Sequence, residues 1–253
     1  MKVLISIISY QGDAENGKHQ KIRDTWGKDV SVNGADLFFF IGRRDDEAGR
    51  PKYNPKSDEV LIKWEQPKDC KHGWWESTEG CCVDFWQLLV KEILDWSIQN
   101  GYDYTFLCEN DTFLIPQKLM ACGFDKYDFS GHFINGGDKY PWPQDFPFHP
   151  PQDSIILGGE KYQWPEPGVG YFLSKKAALV ILGTPSNHFS MGMYAGQALG
   201  PYIDSGEITK MHIPNFIDNI SWHYRTQGIL HPIIGYGYPN ESNWQKEMYE
   251  KHK

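Results

Sequence analysis

The chain has 253 residues, 40% hydrophobic and 23% charged, a mixture that belongs to a globular protein and excludes a disordered or fibrous one. Its length suits one large domain or two small ones with a substantial core. A net charge of −8 argues against a broad nucleic-acid groove, which draws on clustered Lys and Arg, and leaves room only for a local basic patch.

The opening MKVLISIISY has an apolar core too short to cross a membrane. No small-residue cleavage site follows it, so residues 3–9 predict a first strand rather than a leader. A polar loop then leads to KHQKIRDTWGKD, a short helical segment. ADLFFFIG (35–42) is a continuous apolar run closed by glycine, as a strand buried on both faces requires, and EVLIKWE (59–65) predicts another. From Cys82 to Ile98 the apolar positions Cys82, Phe85, Trp86, Leu89, Ile93 and Trp96 keep helical spacing, with Ser77 or Thr78 as caps and Gly101 as the stop. YTFLC forms the next strand. Such alternation predicts an α/β sandwich with a mainly parallel sheet.

Beyond residue 116 the order is less regular. Residues 136–168 are rich in Pro, Gly and aromatics and are too long for a passive connection, which predicts a substrate loop. GVGYFLSKKAALVIL reads as turn, strand and helix. NESNWQKEMYEKHK reads as a polar, exposed tail. Neither a repeat nor a linker divides residues 1–253, which are expected to form one domain. The five cysteines, Cys70, Cys81, Cys82, Cys108 and Cys122, are odd in number and lack zinc spacing. They are expected as reduced thiols in a cytoplasm, that of a microbial or virus-infected cell, with no membrane partner.

The stretch YDYTFLCENDTFLIP (102–116) sets Glu109, Asn110 and Asp111 where a strand is about to end. Asn and Asp initiate turns readily, so a plain turn is one reading and a metal site the other. IRDTWG (22–27), ENDTFL (109–114) and GVGYFLS (168–174) follow one another in the order and rough spacing of the β-1,3-glycosyltransferase and Fringe-like family. That family has an IRxTWG segment, a DDD or DxD motif at a strand end and a GGxGYxxS segment. The resemblance covers roughly residues 1–200, and the joint occurrence is far more specific than any one motif.

The resemblance implies a GT-A fold, a Rossmann-like α/β/α sandwich, with a donor-binding part over about 1–115 and an acceptor-side part over about 116–240. It implies a nucleotide-sugar donor, a UDP-sugar first, with Mn²⁺ (or Mg²⁺) bridging the diphosphate as a Lewis acid through hard oxygen ligands. Asp111 would coordinate the metal. Glu109 would contact it or the donor, and Asn110 would hydrogen-bond the donor sugar. A histidine late in the domain completes the metal shell in the family: His223 in NISWHYRT is the first choice and His212 in KMHIP the second. Arg23 would meet the diphosphate with its planar fork. Gly168 and Gly170 would let backbone approach the donor.

One family feature is missing. The acidic motif after GGxGY, whose carboxylate deprotonates the acceptor hydroxyl, aligns with SMGMYAGQALG, where Met191 and Gly192 stand instead. A direct displacement needs some base, and Glu166, Asp204 and Asp218 are the substitutes, with inverting or retaining chemistry left open. Trp74 and Trp75 in HGWWES, Trp142 in KYPWPQDFPFHPP, and Trp164 offer flat faces for an acceptor glycan, small molecule or modified nucleobase. Two other readings stand beside the transferase: a non-catalytic carbohydrate- or nucleotide-binding module on the same fold, and a metal-dependent phosphoesterase using Glu109, Asp111 and His223.

Overall fold

The computed structural model describes residues 1–44, 53–64, 85–134, 163–165, 168–185, 191–213, 216, 220–223 and 241–252. The first strand, β1 (Val3–Tyr10), is buried over all but its last residue. It pairs in parallel with β2 (Ala35–Arg44) on one side and β4 (Tyr104–Glu109) on the other. Beyond β2 lies β3 (Glu59–Trp64), also parallel. Past β4 come β9 (Tyr171–Ser174), then β6 (Phe129–Gly131) and β10 (Lys210–His212). The seven-stranded order is therefore β10-β6-β9-β4-β1-β2-β3, with β9 antiparallel to both its neighbours and the rest parallel. The mixed α/β sandwich with a mainly parallel central sheet, expected from the strand–helix alternation and consistent with a GT-A-like fold, is what the structure shows.

Both faces of the sheet are covered, which is why β1 and the centre of β2 are dominated by apolar residues rather than alternating. Leu4 and Ile8 of β1 pack with Phe40, against Leu89, Val90, Ile93 and Leu94 of α3 (Phe85–Gln99) and against α5 (Lys175–Gly183) and α6 (Met191–Asp204). Val3, Ile5 and Ile7 face the other way, toward Ile22 of α2 (Lys18–Asp24), Leu119 of α4 (Pro116–Met120) and Trp244 and Met248 of α7 (Glu241–His252). Alternate residues of one strand thus feed two cores.

The last of these helices corrects the sequence reading. NESNWQKEMYEKHK was expected as an exposed tail, yet Glu241–His252 is helical and buries Trp244, Gln245 and Met248. The spacing of Trp244 and Met248 puts both on one helical face, a stripe too narrow to stand out among charged neighbours. Gln245 then joins two of the sequence motifs. Trp26 Nε1 donates to its Oε1 at 2.9 Å, and its Nε2 donates to the Thr112 carbonyl at 3.0 Å. Trp26 itself is buried, as core rather than donor surface.

Candidate functional site

In open α/β sheets, ligands bind outside the carboxyl ends of the strands where the strand order reverses. Here that point lies between β1 and β4: β2 and β3 extend the sheet to one side of β1, while β4 was added to the other. The residues just past the two strand ends are therefore the ones to examine. At the end of β4 they are Glu109, its last residue, then Asn110 and Asp111, all half-buried, with Asn110 and Asp111 forming a turn into β5 (Thr112–Leu114). After β1 they are α1 (Gln11–Glu15), which follows directly on Tyr10.

The turn is fixed from three sides. Asn110 Nδ2 donates to Ser9 Oγ at 3.0 Å and to Asp13 Oδ2, lashing the acidic motif to the end of β1. Thr112 Oγ1 donates to the Gly168 carbonyl at 2.6 Å, which ties the second motif to the third. β11 (Ser221–His223) pairs antiparallel with β5 and places His223 opposite Thr112, one residue from Asp111. The sequence named His223 from the family alone. The strand register brings it to the flank of the acidic turn.

Glu109 and Asp111 both act on Cys108, whose buried thiol is pushed well up, first by burial and then by the two negative charges. Two carboxylates at this one strand end are hard oxygen donors of the kind Mg²⁺ and Mn²⁺ take. Among the described residues no group of three or more His, Cys, Asp or Glu side chains gathers at metal-holding distance.

Gly170 has a packing role of its own. Its φ of +93° lies in the left-handed region, and a Cβ there would stand 2.4 Å from Phe106 Cζ and 2.8 Å from the Leu107 carbonyl. Glycine is required for β9 to enter beside β4.

Arg23 is tied into the fold: Nε and one terminal nitrogen donate to Asp58 at 2.7 and 2.8 Å, and the latter also donates to Glu59 at 2.7 Å. It lies over the Phe39 ring, 4.6 Å from the centroid. A planar fork held by two carboxylates has a part in the scaffold. Glu59, buried beneath it, would be raised by burial, but bonds from the Lys56 amide, Arg23, His19 and Tyr53 prevail and hold it down at about 2.

Asp204 ends α6 and is exposed, and the chain turns there to start β10 at its amino end, where the Thr209 carbonyl accepts from Phe129 N. That is the opposite edge of the sheet from Glu109, so the fold does not bring Asp204 to the acidic turn. Trp164 stands in β8 (Trp164–Pro165), paired with β7 (Phe133–Ile134). Trp74, Trp75, Trp142, Glu166 and Asp218 lie outside the described residues, as do Cys70, Cys81 and Cys82 and most of the expected substrate loop. Cys108 and Cys122 are free thiols. Among the described residues no helix is long and apolar enough to cross a membrane.

Several residues at this edge were not singled out from the sequence. Ser9, Asp13, His19 and Glu59 are all buried, and only the four-residue spacing of His19 and Arg23 on one short helix hinted at a shared polar face. His132 follows β6, level with Cys108 because Leu107 and Gly131 both register on Tyr171. Two strand spacings set the backbones about 10 Å apart. Burial and the neighbouring His212 lower the His132 pKa. His212, the second metal candidate, instead accepts the Phe133 N–H on Nδ1 at 3.2 Å.

No family model matches the chain, and no curated protein does. Among solved structures it is similar to a glycosyltransferase involved in the glycosylation of the major capsid of PBCV-1, at 12% identity and a TM-score of 0.41, over 96% of this chain and 99% of that one. At those values the two chains are not shown to share a family or an activity.

Proposed function

We propose that the chain is a metal-dependent glycosyltransferase that moves a sugar from a nucleotide-sugar donor, a UDP-sugar first, to a hydroxyl of an acceptor. One observation carries the reading: the acidic turn Glu109–Asn110–Asp111 sits at the carboxyl end of β4, at the reversal of strand order, with His223 in register at its flank. A nucleotide diphosphate laid across such an edge meets its cation ligands where the strands stop. Asp111 and Glu109 would hold Mn²⁺ or Mg²⁺, with His223 as the third ligand, and the ion would neutralise charge on the departing diphosphate. Asn110 would take a hydroxyl of the donor. Gly168 and Val169 would form the wall of the crevice that Thr112 anchors, and Gly170 would keep β9 close enough to shape it.

The test is a thermal-shift panel of UDP-, GDP- and dTDP-sugars with and without Mn²⁺, on wild type and Asp111→Ala. Saturation at about a hundred times the dissociation constant stabilises by roughly 2.7 kcal/mol, at about 2–4 °C per kcal/mol in a chain of this size. A Mn²⁺-dependent shift that Asp111→Ala abolishes is the expected result. A shift that survives in the mutant would move the metal site elsewhere.

A second reading, a non-catalytic nucleotide- or carbohydrate-binding module, is favoured by the base. Met191 and Gly192 replace the family carboxylate and Asp204 lies at the far edge. The module would show the same metal-dependent shift but release no nucleoside diphosphate in the presence of acceptor glycans.

A further inference from the structure

A line of buried hydrogen bonds runs away from the acidic turn into the scaffold. Asn110 Nδ2 reaches Ser9 Oγ at 3.0 Å, Ser9 Oγ stands 2.7 Å from His19 Nε2, and His19 Nδ1 stands 3.0 Å from Glu59 Oε1. Ser9, His19 and Glu59 are buried, and the His19 ring stacks on Phe39 with centroids 4.3 Å apart. Glu59 is closed off at its other end: Arg23 shares Oε1, while Tyr53 and the Lys56 amide donate to Oε2 at 2.7 and 2.8 Å.

The donors can be assigned in order along this line. An ionised carboxylate only accepts, so Glu59 takes the proton of His19 Nδ1. In a neutral imidazole the other nitrogen is then an acceptor, so Ser9 Oγ–H points at Nε2. That leaves the Ser9 oxygen to accept from Asn110. Asp13, an acceptor held by Lys18 at 3.0 Å, takes the second amide proton. With both N–H groups of Asn110 bound on the β1 side, its amide oxygen is turned away from Ser9 and Asp13.

We infer that Ser9 and His19, seated on Glu59, are positioning residues that fix Asn110 so that its amide oxygen is presented as an acceptor to a hydroxyl of the sugar or ribose of the donor. The inference rests on the donor-site reading above and adds the direction of the bond and the residues that set it. It also gives a reason for Asn rather than Asp at this position: a carboxylate at 110 would face the Asp13 carboxylate at hydrogen-bond distance and lack the protons that Ser9 and Asp13 accept. Ser9 as a nucleophile is ruled out by its position, since its hydroxyl is buried between His19 and Asn110.

The test combines calorimetry and a double-mutant cycle, using the best binder of the UDP-, GDP- and dTDP-sugar panel with Mn²⁺. Asn110→Ala should weaken binding, and Ser9→Ala should weaken it about tenfold on the wild-type background, the scale of one oriented hydrogen bond. On the Asn110→Ala background Ser9→Ala should have no further effect, because Ser9 acts through Asn110. An equal loss on both backgrounds, or none on wild type, overturns the inference while the donor site stands. If wild type binds no member of the panel, the donor-site reading fails and the inference fails with it. Imidazole ¹⁵N NMR of the ligand-free protein gives an independent measure: His19 should be neutral with the proton on Nδ1, and the Nε2–H tautomer or a protonated ring overturns the relay. His19→Gln, which keeps an acceptor near the Nε2 position, should retain more affinity than His19→Leu, and the reverse order counts against it.

Discussion

The two halves of the sheet treat buried polarity differently. Around β1, β2 and β3, polar side chains are interlocked: buried Ser9, His19 and Glu59 and half-buried Arg23, Asp58 and Tyr53 share one hydrogen-bonded cluster that ends on Asn110. Across β9, β6 and β10 the interior is aromatic, with Phe106, Phe124 and Phe172 stacked or tilted on one another. There Ser130 Oγ, His132 Nδ1 and Tyr171 Oη are buried without hydrogen-bond partners among the described residues. Buried polar atoms are ordinarily bonded. The first half ties its polar groups to the acidic turn, whereas the second keeps a bonded cluster, Asp128 with Ser174 and Thr209, at its rim and inside depends on close packing with a few polar atoms carried at a cost.

The largest effect should come from breaking the first half at its centre. Arg23→Ala leaves the Glu59 carboxylate buried without its main cationic partner and should cost about 3–5 kcal/mol in urea unfolding. A loss under about 1 kcal/mol would show that the cluster is worth no more than a surface ion pair. The same carboxylate sets a pH dependence. Its folded-state pKa of about 2 lies below the ordinary 4.5, so its contribution is present above pH 4.5 and is lost as pH falls toward about 2. In Glu59→Gln the wild-type fall in stability across that window should shrink.

The seam between the halves comes next. Gly170→Ala adds a methyl group against Phe106 and Leu107 at a positive φ, and strain plus overpacking should cost roughly 2–4 kcal/mol. If its melting temperature equals that of wild type, β9 does not pack as closely on β4 as the comparison requires. The smallest effect sharpens the contrast. Tyr171→Phe deletes a buried hydroxyl that bonds nothing among the described residues and should be neutral or stabilising by up to about 1 kcal/mol. A loss of that size or more would mean the hydroxyl is bonded, and the aromatic half would then resemble the polar one.

Much of the fold was legible in the chain. Val3–Tyr10 and the centre of Ala35–Arg44 are dominated by apolar residues because they are covered on both faces, and a run of that kind reports burial directly. The amphipathic helix Phe85–Gln99 announced itself for the same reason. The acidic turn was legible as polar residues at a strand end, and His223 as a candidate partner. The ion pairs of Arg23 were not legible, because a lone Arg on a short helix gives no sign of Asp58 and Glu59, 35 and 36 residues away.

The sequence by itself determined the alternation of strands and helices, the mainly parallel sheet and the residues past β4 that carry negative charge. These follow from local pattern: period, turn residues and the end of an apolar run. The tertiary structure decided what those residues face. Only strand order makes β1 and β4 neighbours, only the β5–β11 register brings His223 beside Asp111, and only the fold joins Ser9, His19 and Glu59 to Asn110. Hydrogen bonds reach about 3 Å, while Ser9 and Asn110 lie 101 residues apart in the chain. No local pattern encodes such a pairing, and packing has to supply it.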